Sequence, residues 1–592
     1  MSESAIIRYL QIERFRGLQM LNWTPAETVN IILGGGDVGK STVLDAIALL
    51  LSPNNSVILS EADYWHKNTE DGFLIRAFFT LPASTDINHQ RALSWPWEWN
   101  GKEAVPPVLA DEGDDIADPA QPVYCLQARG TPELEVVWEI VQPNDETTPL
   151  STALRRLIGV IRLSGEERND RDLRLVYGSA LDRLLADPGL RARIGQEVSN
   201  IDLQAKLSED AKKSLGALDV ALKDESLPHS LDVGLTSAQG LSIGALVGLL
   251  AQKTEEVTLP ISSWGAGTRR MVTLQIAAST QASTRITVID ELERGLEPYR
   301  ARKLVGALEK DKAQSFVTTH SPVVVSAAKG SQLWYMDAQG GVGELTHHKI
   351  KVHQARSPLT FLSKFAIVCE GITEVGVLSV LLEKSIEGQY RDHGVFLADG
   401  EGNSTTLDLL EVLSKTGLRF AGFADDEGDR DGKWTALKAS MGDALLKWQA
   451  GNTEANILAA IPDEHLEAVI EDDVAEKFGV RRRHLADRLG ISDKSMPSIH
   501  EALAQQDVDL RTLMIAAASG NSDGAPDDQT RKEWKKHGQQ WFKSEAGGRE
   551  LAGKMIMFGA WPELSAQFMP LLNAVRLALG QEPVEGLKDE RR

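Results

Sequence analysis

An α/β architecture in two or three domains follows from three features of the sequence. A Gly-rich turn separates an apolar β-run from an amphipathic helix pattern at residues 29–50. Two later β-runs end in polar residues, at Asp290 and His320, and alternating strand and helix patterns restart near residue 360. At 592 residues the chain exceeds what one hydrophobic core supports, so more than one domain is required. Hydrophobic residues make up 42% of it, an ordinary globular composition. The start, MSESAIIRYL, lacks a basic-then-apolar signal layout, and no apolar run approaches the roughly 18 to 20 residues that span a bilayer. A cytoplasmic protein without membrane contact is expected. The two cysteines, Cys125 and Cys369, lie in unrelated segments, which excludes a disulfide framework or zinc site and predicts two buried thiols. A net charge of −22 argues against coating nucleic acid by bulk attraction; any such contact needs a local basic patch.

The first strand, turn and helix read "TVNIILGGGDVGKSTVLDAIALLL". Gly34, Gly39, Lys40 and Ser41 satisfy the P-loop pattern, with Gly36, Asp37 and Thr42 inside the same turn. Glycines let backbone N–H groups wrap phosphates, Lys40 reaches the outer phosphates, and the Ser41 hydroxyl suits Mg²⁺. "RITVIDELERGLEP" puts Asp290 and Glu291 at a strand's C-terminal edge, where an Asp can hold Mg²⁺ and a Glu can orient the attacking water. "SFVTTHSPVVV" delivers His320 to the end of another buried strand, as a γ-phosphate sensor. "SSWGAGTRRMVTLQIAA", residues 262–278, is a Ser- and Gly-rich turn leading into a helix, an anion site able to close on a nucleotide held by another subunit. It resembles the signature motif of ABC-type ATPases, with Ser263, Gly265 and Gly267 in matching places and Trp264 where a glycine is usual.

Residues 152–232 are charged and patterned mostly at 3.6, which predicts inserted amphipathic helices that pack on another copy or form a solvated face. The acid-rich stretch 109–121 reads as an exposed loop. Domain limits follow: ATPase halves at 1–151 and 233–358, the helical insertion at 152–232, and a further domain at 359–592.

That last domain opens with "FAIVCEGITEVGVLSVLLEK", a strand, an acidic turn and a helix. Two more strands follow, the second ending in Asp425, Asp426 and Glu427. The order predicts a small parallel sheet whose C-terminal edge gathers Glu370, Asp425 and Glu427. Carboxylates without His or Cys partners make a hard-cation site, for Mg²⁺ or Mn²⁺. Near the end, "RKEWKKHGQQWFKSEAGGRELAGKMIMFG" holds seven Lys or Arg against three Glu, interleaved with aromatics, and is the candidate nucleic-acid contact.

The order of P-loop, signature, Asp290–Glu291 and His320 resembles the ABC ATPase head of the RecF and SMC type, which works as a dimer with ATP at its interface. "EGITE" and "DDE" resemble a TOPRIM domain, with Glu427 where a second Asp is usual, so that Asp426 or Asp429 could complete the site instead. An ABC-type P-loop ATPase with an inserted helical dimerisation segment, followed by a TOPRIM α/β domain with helical additions, is similar to the OLD (overcoming lysogenisation defect) family of ATP-dependent endonucleases. The resemblance implies DNA cleavage by two metals, Mg²⁺ with Mn²⁺ an alternative. It also implies a dimer or tetramer, and a role in anti-phage defence beside a helicase, a reverse transcriptase or a non-coding RNA or DNA. It assigns metal ligands to Glu370, Glu374, Asp425, Glu427 and Glu454. Lys554 matches the family's phosphate-neutralising lysine, with Lys543 the competitor. An ATP-switched, RecF- or SMC-like DNA clamp whose TOPRIM-like fold has lost its metal chemistry is the alternative.

Overall fold

The computed structural model describes residues 4–55, 57–87, 94–107, 121–163, 170–176, 179–187, 190, 204–235, 247–254, 257–279, 285–311, 313–337, 339–345, 348–428, 430–471 and 479–588. Asp429 and most of the acidic stretch 109–121 lie outside the described residues. The chain divides into two units, Met1–Thr346 and His347–Arg592.

In the first unit, five strands run parallel in the order Val160–Leu163, Ile286–Ile289, Ser315–Thr318, Val29–Gly34 and Gln332–Met336, and Val342–Glu344 pairs antiparallel at one edge. Val29–Gly34 and Ile286–Ile289 are buried at every position, as strands covered on both faces must be. A second, antiparallel sheet contains Ile6–Phe15, Phe73–Thr80 and Gln121–Gly130. Ile6–Phe15 alternates buried and half-buried residues over much of its length. The helix Lys40–Leu50 packs against strands of both sheets. Its Val43, Leu44 and Ile47 join Ile12 and Phe79 of one sheet and Val288 and Phe316 of the other in a single core. The phosphate-loop helix is thus clamped along its length, and the turn before it is held at the C-terminal edge of the parallel sheet.

The 152–232 stretch differs from the expected helical arm. Val160–Leu163 is a strand of the parallel sheet, paired with Ile286–Ile289, so the sheet begins inside the stretch read as an insertion. β-Branched and apolar alternation in "GVIRL" is too short to stand out against flanking helical periodicity. Helices at Ala180–Leu185 and Glu209–Asp224 carry the rest of what is described there, the second burying Ala211, Leu215, Leu218 and Leu222 on one face.

In the second unit four strands, Val395–Asp399, Phe365–Cys369, Phe420–Ala424 and Leu445–Lys447, lie in that order, all parallel. The first strand in sequence, Phe365–Cys369, is therefore flanked by the second and the third. Chain direction across the sheet reverses between Phe365–Cys369 and Phe420–Ala424, and their C-terminal ends open a crevice, the usual ligand position in such sheets. The later helices, among them Thr453–Ala460, Val480–Leu489, Glu545–Met557 and Trp561–Ala578, share one apolar core with the sheet. Cys125 and Cys369 are both free and buried, and burial pushes the Cys125 thiol up to about 12. No described helix is long and apolar enough to cross a membrane.

Candidate functional site

Two constellations stand at sheet edges, one in each unit. In the first, Gly39 caps the phosphate-loop helix at φ +100°, where a Cβ would lie 2.7 Å from Leu18 Cδ2; only glycine fits. Lys40 is buried, and burial lowers its pKa against the pull of Asp290. Its ammonium donates to the carbonyls of Gly34, at 3.0 Å, and Gly35. The Ser41 hydroxyl donates to Asp290 Oδ1 at 3.1 Å, and Thr318 donates to the same oxygen at 2.6 Å. A hydroxyl and a carboxylate meeting at the end of the loop form an oxygen set suited to a hard divalent cation. Glu291 has φ +47° and carries an ion pair to Arg294 at 3.1 Å.

His320 is exposed at its strand end. Glu293 fixes the turn that carries it, accepting from the His320 N–H at 2.7 Å and from the Thr319 hydroxyl at 2.6 Å. Ser263 and Gly265 are exposed, and Ser263 donates to the Pro260 carbonyl at 2.7 Å. Gly267 is buried, and a Cβ there would meet the Gly295 carbonyl at 2.1 Å, so a bare glycine lets the signature helix touch the turn after Asp290–Glu291. Arg270 of the same helix donates to the Asp290 carbonyl, and burial lowers its pKa to about 10. Gly36, Asp37 and Thr42 lie in or beside the phosphate loop, Asp37 at φ +58°. Thr318, Glu293 and Arg270 escaped the sequence reading. The signal for Glu293 was an acid inside "DELE" that the strand-end argument does not require.

In the second unit, Glu374 comes from the first turn of Ile372–Ser385, Asp425 from the residue after Phe420–Ala424, and Glu454 from the first turn of Thr453–Ala460. One carboxylate oxygen from each lies within 4.8 Å of the others. Glu374 and Glu454 are 4% and 2% exposed, so all three cannot stay ionised this close without a counter-cation. Burial first, then the neighbouring acids, raises Glu374 well above the carboxylate range and Asp425 to about 8. Burial raises Glu454 too, with Lys543 pulling the other way. An all-oxygen donor set of buried carboxylates fits Mg²⁺ or Mn²⁺.

Polar neighbours hold these groups in place. Thr453 donates its N–H and its hydroxyl to Asp425 Oδ1, and Thr373 donates to Glu454 Oε1 at 3.2 Å. Of the five sequence-assigned ligands, these three converge and two do not. Glu370 is buried, but its Oε2 accepts from Asn403 at 2.8 Å and from the Asp425 N–H at 2.9 Å, which makes it a brace across the crevice. Glu427 is exposed and acts on Glu370 only through its charge. Asp426 is ion-paired with Lys447, which lowers its pKa, so it does not complete the cluster.

Lys554 is a correction. Its ammonium is buried 85 residues along from Val469, whose carbonyl it meets at 3.2 Å, and it also bonds the Glu471 carbonyl and Glu550. Arg481 makes a bidentate pair with the same Glu550 at 2.6 and 2.8 Å. Lys554 belongs to this structural knot, and the lysine whose charge bears on the cluster is exposed Lys543. Trp541 and Phe542, two of the aromatics interleaved in the basic stretch read as the nucleic-acid contact, are 3% and 0% exposed and belong to the core.

The first unit, with its phosphate loop, signature helix and Asp290 in this order along the chain and Ser41 bonded to Asp290, is a P-loop ATPase domain with the ABC-type arrangement of motifs. Residues 138–326 match the family model described as "AAA domain, putative AbiEii toxin, Type IV TA system". Among solved structures, the chain is similar to an Smc head bound to the C-winged helix domain of ScpA, at 13% identity and TM-score 0.36, over 58% of this chain and 98% of that one. It is also similar to a Pyrococcus furiosus Smc head with an extended coiled coil, at 13% identity and TM-score 0.35, over 60% and 98% of the two chains. The recombination mediator RecF with ATP matches at 15% identity and TM-score 0.34, over 58% and 99%. No curated protein sequence matches the chain.

Proposed function

We propose that this protein is an ATPase-regulated, divalent-metal-dependent DNA endonuclease of the OLD type, acting in anti-phage defence, with its second unit a TOPRIM-like nuclease domain. The convergence of Glu374, Asp425 and Glu454 at the crevice of the second sheet carries the reading. Bound there, Mg²⁺ or Mn²⁺ would supply an activated water and stabilise the leaving oxygen of a phosphodiester. The three carboxylates would hold the ions, Thr453 and the Glu370–Asn403 brace fix Asp425, and Lys543 would offset charge on the phosphate. In the first unit Lys40, Ser41 and Asp290 bind ATP with Mg²⁺, Glu291 orients water, and His320 reads the γ-phosphate. Ser263, Gly265 and Gly267 close on the nucleotide of a second copy.

Incubating the purified protein with plasmid DNA, Mg²⁺ or Mn²⁺, with and without ATP, tests this. Asp425→Asn should abolish nicking while ATP binding persists. Wild-type cutting by that variant overturns the site assignment. ATP-dependent DNA binding without any cutting by the unaltered protein favours the clamp instead.

A further inference from the structure

The chain carries a net charge of −22, yet one helix of its second unit clusters exposed lysines. In the helix Asp528–Gln539, Trp534, His537 and Gly538 face inward, the last two buried, while Lys532, Lys535 and Lys536 are exposed on the opposite side. Lys532 and Lys536 are one turn apart, about 6 Å along the axis. A neighbouring helix, Val480–Leu489, is fastened to this one by three contacts. His484 and His537 stack with ring centroids 3.9 Å apart and planes 7° from parallel. Arg488 lies over the Trp534 ring at 4.8 Å, and it donates to the Trp534 carbonyl at 3.3 Å. Lys543, exposed in the turn that follows, ends the series at the cluster: the carbonyl of the preceding Phe542 accepts at 3.2 Å from the Thr373 hydroxyl that also donates to Glu454.

We propose that Lys532, Lys535, Lys536 and Lys543 form a track for the phosphate backbone of duplex DNA that ends at the carboxylate cluster. The inward-facing Trp541 and Phe542 leave no stacking platform in this segment, so the track reads charge and not bases. A chain of net charge −22 holds DNA only where cations cluster, by local attraction against the charge of the whole. The direction of substrate toward the cluster rests on the nuclease reading; the binding itself does not.

The test is fluorescence anisotropy of the full chain with a labelled 30-base-pair duplex in EDTA, from 50 to 200 mM KCl. The combined variant Lys532→Glu, Lys535→Glu, Lys536→Glu should bind roughly 10²-fold more weakly at 100 mM salt. Its slope of log affinity against log salt should fall by about 3, near 0.9 per lost phosphate contact. The Lys→Gln version of the same three positions guards against misfolding, and both should keep the ATPase rate and melting temperature. Variants that retain wild-type affinity and slope overturn the track, as does a wild-type protein that does not bind the duplex. A protein that binds through these lysines but never cuts sinks the nuclease reading and keeps the track. One that cuts with the lysines neutralised and its affinity unchanged does the reverse.

Discussion

Thr453 donates both its backbone N–H and its hydroxyl to the same oxygen of Asp425, each at 2.9 Å. Burial and adjacent acids push Asp425 up to about 8, and these two donors are what favours its charged form. A hydrogen bond to a charged group contributes about 1.5–3 kcal/mol, or about 1–2 units of pKa. Thr453→Val should therefore move the pH midpoint of Mn²⁺ binding upward by about one unit, read by calorimetry from pH 6 to 9. Because the hydroxyl also accepts from Trp448 Nε1 at 2.9 Å, Thr453→Ser is the control that should stay near wild type. An unchanged midpoint in the Val variant removes Thr453 from the site.

Glycines set the spacing of the elements that carry the cluster. A Cβ on Gly376 would lie 2.3 Å from the Glu545 carbonyl, and one on Gly548 would lie 2.2 Å from the Thr373 carbonyl. Both contacts are backbone, so neither neighbour can rotate away. Gly376→Ala should force the Ile372–Ser385 and Glu545–Met557 helices apart at a cost of about 1–3 kcal/mol or more. Thermal unfolding should show the loss, and metal affinity should fall with it because Glu374 rides on the first of these helices. A variant with unchanged melting temperature would contradict the close crossing.

Local patterns were legible in the sequence wherever a strand, its turn and its helix are contiguous. The phosphate loop, Asp290–Glu291, His320 and the strand ending before Glu370 all fall into this class, because a β-run that stops at a polar residue fixes where that residue stands. What was not legible depends on partners distant in the chain. Glu370 and Asp425 look alike at their strand ends, but only the fold shows that Asn403 turns Glu370 into a brace. Asp426 differs from Asp425 only in pointing to Lys447. Trp541 and Phe542 lie in a basic stretch that suggested nucleic-acid contact, yet the turn between the helices Asp528–Gln539 and Glu545–Met557 carries both into the core. Val160–Leu163 was hidden because a four-residue strand carries little periodicity.

Acid should weaken the second unit through its stacked imidazoles. Burial lowers His484 to about 3 and His537 to about 4, with Arg483 and Arg488 adding repulsion and Asp487 and Glu533 opposing it at His537. The unfolded chain binds protons on both below about pH 6.5, whereas the folded form excludes them until much lower pH. Their contribution is complete above pH 6.5 and is lost as pH falls toward 4. His537→Phe keeps a stacked ring without a titrating group, so the fall in melting temperature between pH 7 and 4.5 should be about half as steep. An equally steep acid limb in the variant would exclude the pair as its origin.

Glu293 should matter to ATP turnover without touching nucleotide. It anchors the His320 turn through two bonds of 2.7 and 2.6 Å, so Glu293→Ala frees the turn while leaving the phosphate loop and Asp290 intact. A positioning loss of this kind should lower kcat about 10- to 100-fold with KM for ATP little changed. Steady-state ATPase assays read both. A rise in KM at constant kcat would show that Glu293 serves binding instead.

The two candidate lysines separate by what each is bound to. Lys554 and Arg481 share Glu550 in a buried knot, and Lys554 also bonds the carbonyls of Val469 and Glu471. Removing one member of such a group leaves polar and charged partners buried without compensation, which costs about 3–5 kcal/mol. Lys554→Ala should therefore lower the melting temperature, and any loss of DNA cleavage should follow the fraction unfolded. Lys543 is exposed, and Ser544, which follows it, caps the next helix with its own hydroxyl, so its loss disturbs no packing. Lys543→Ala should keep the melting temperature and lower the cleavage rate about 10- to 1000-fold, the range for removing one group that stabilises developing charge. Lys543→Arg, which retains the charge, should recover part of that rate. If Lys543→Ala cut at the wild-type rate, and Lys554→Ala lost cleavage at full stability, the assignment would revert to Lys554 and the buried knot would have to open during the reaction.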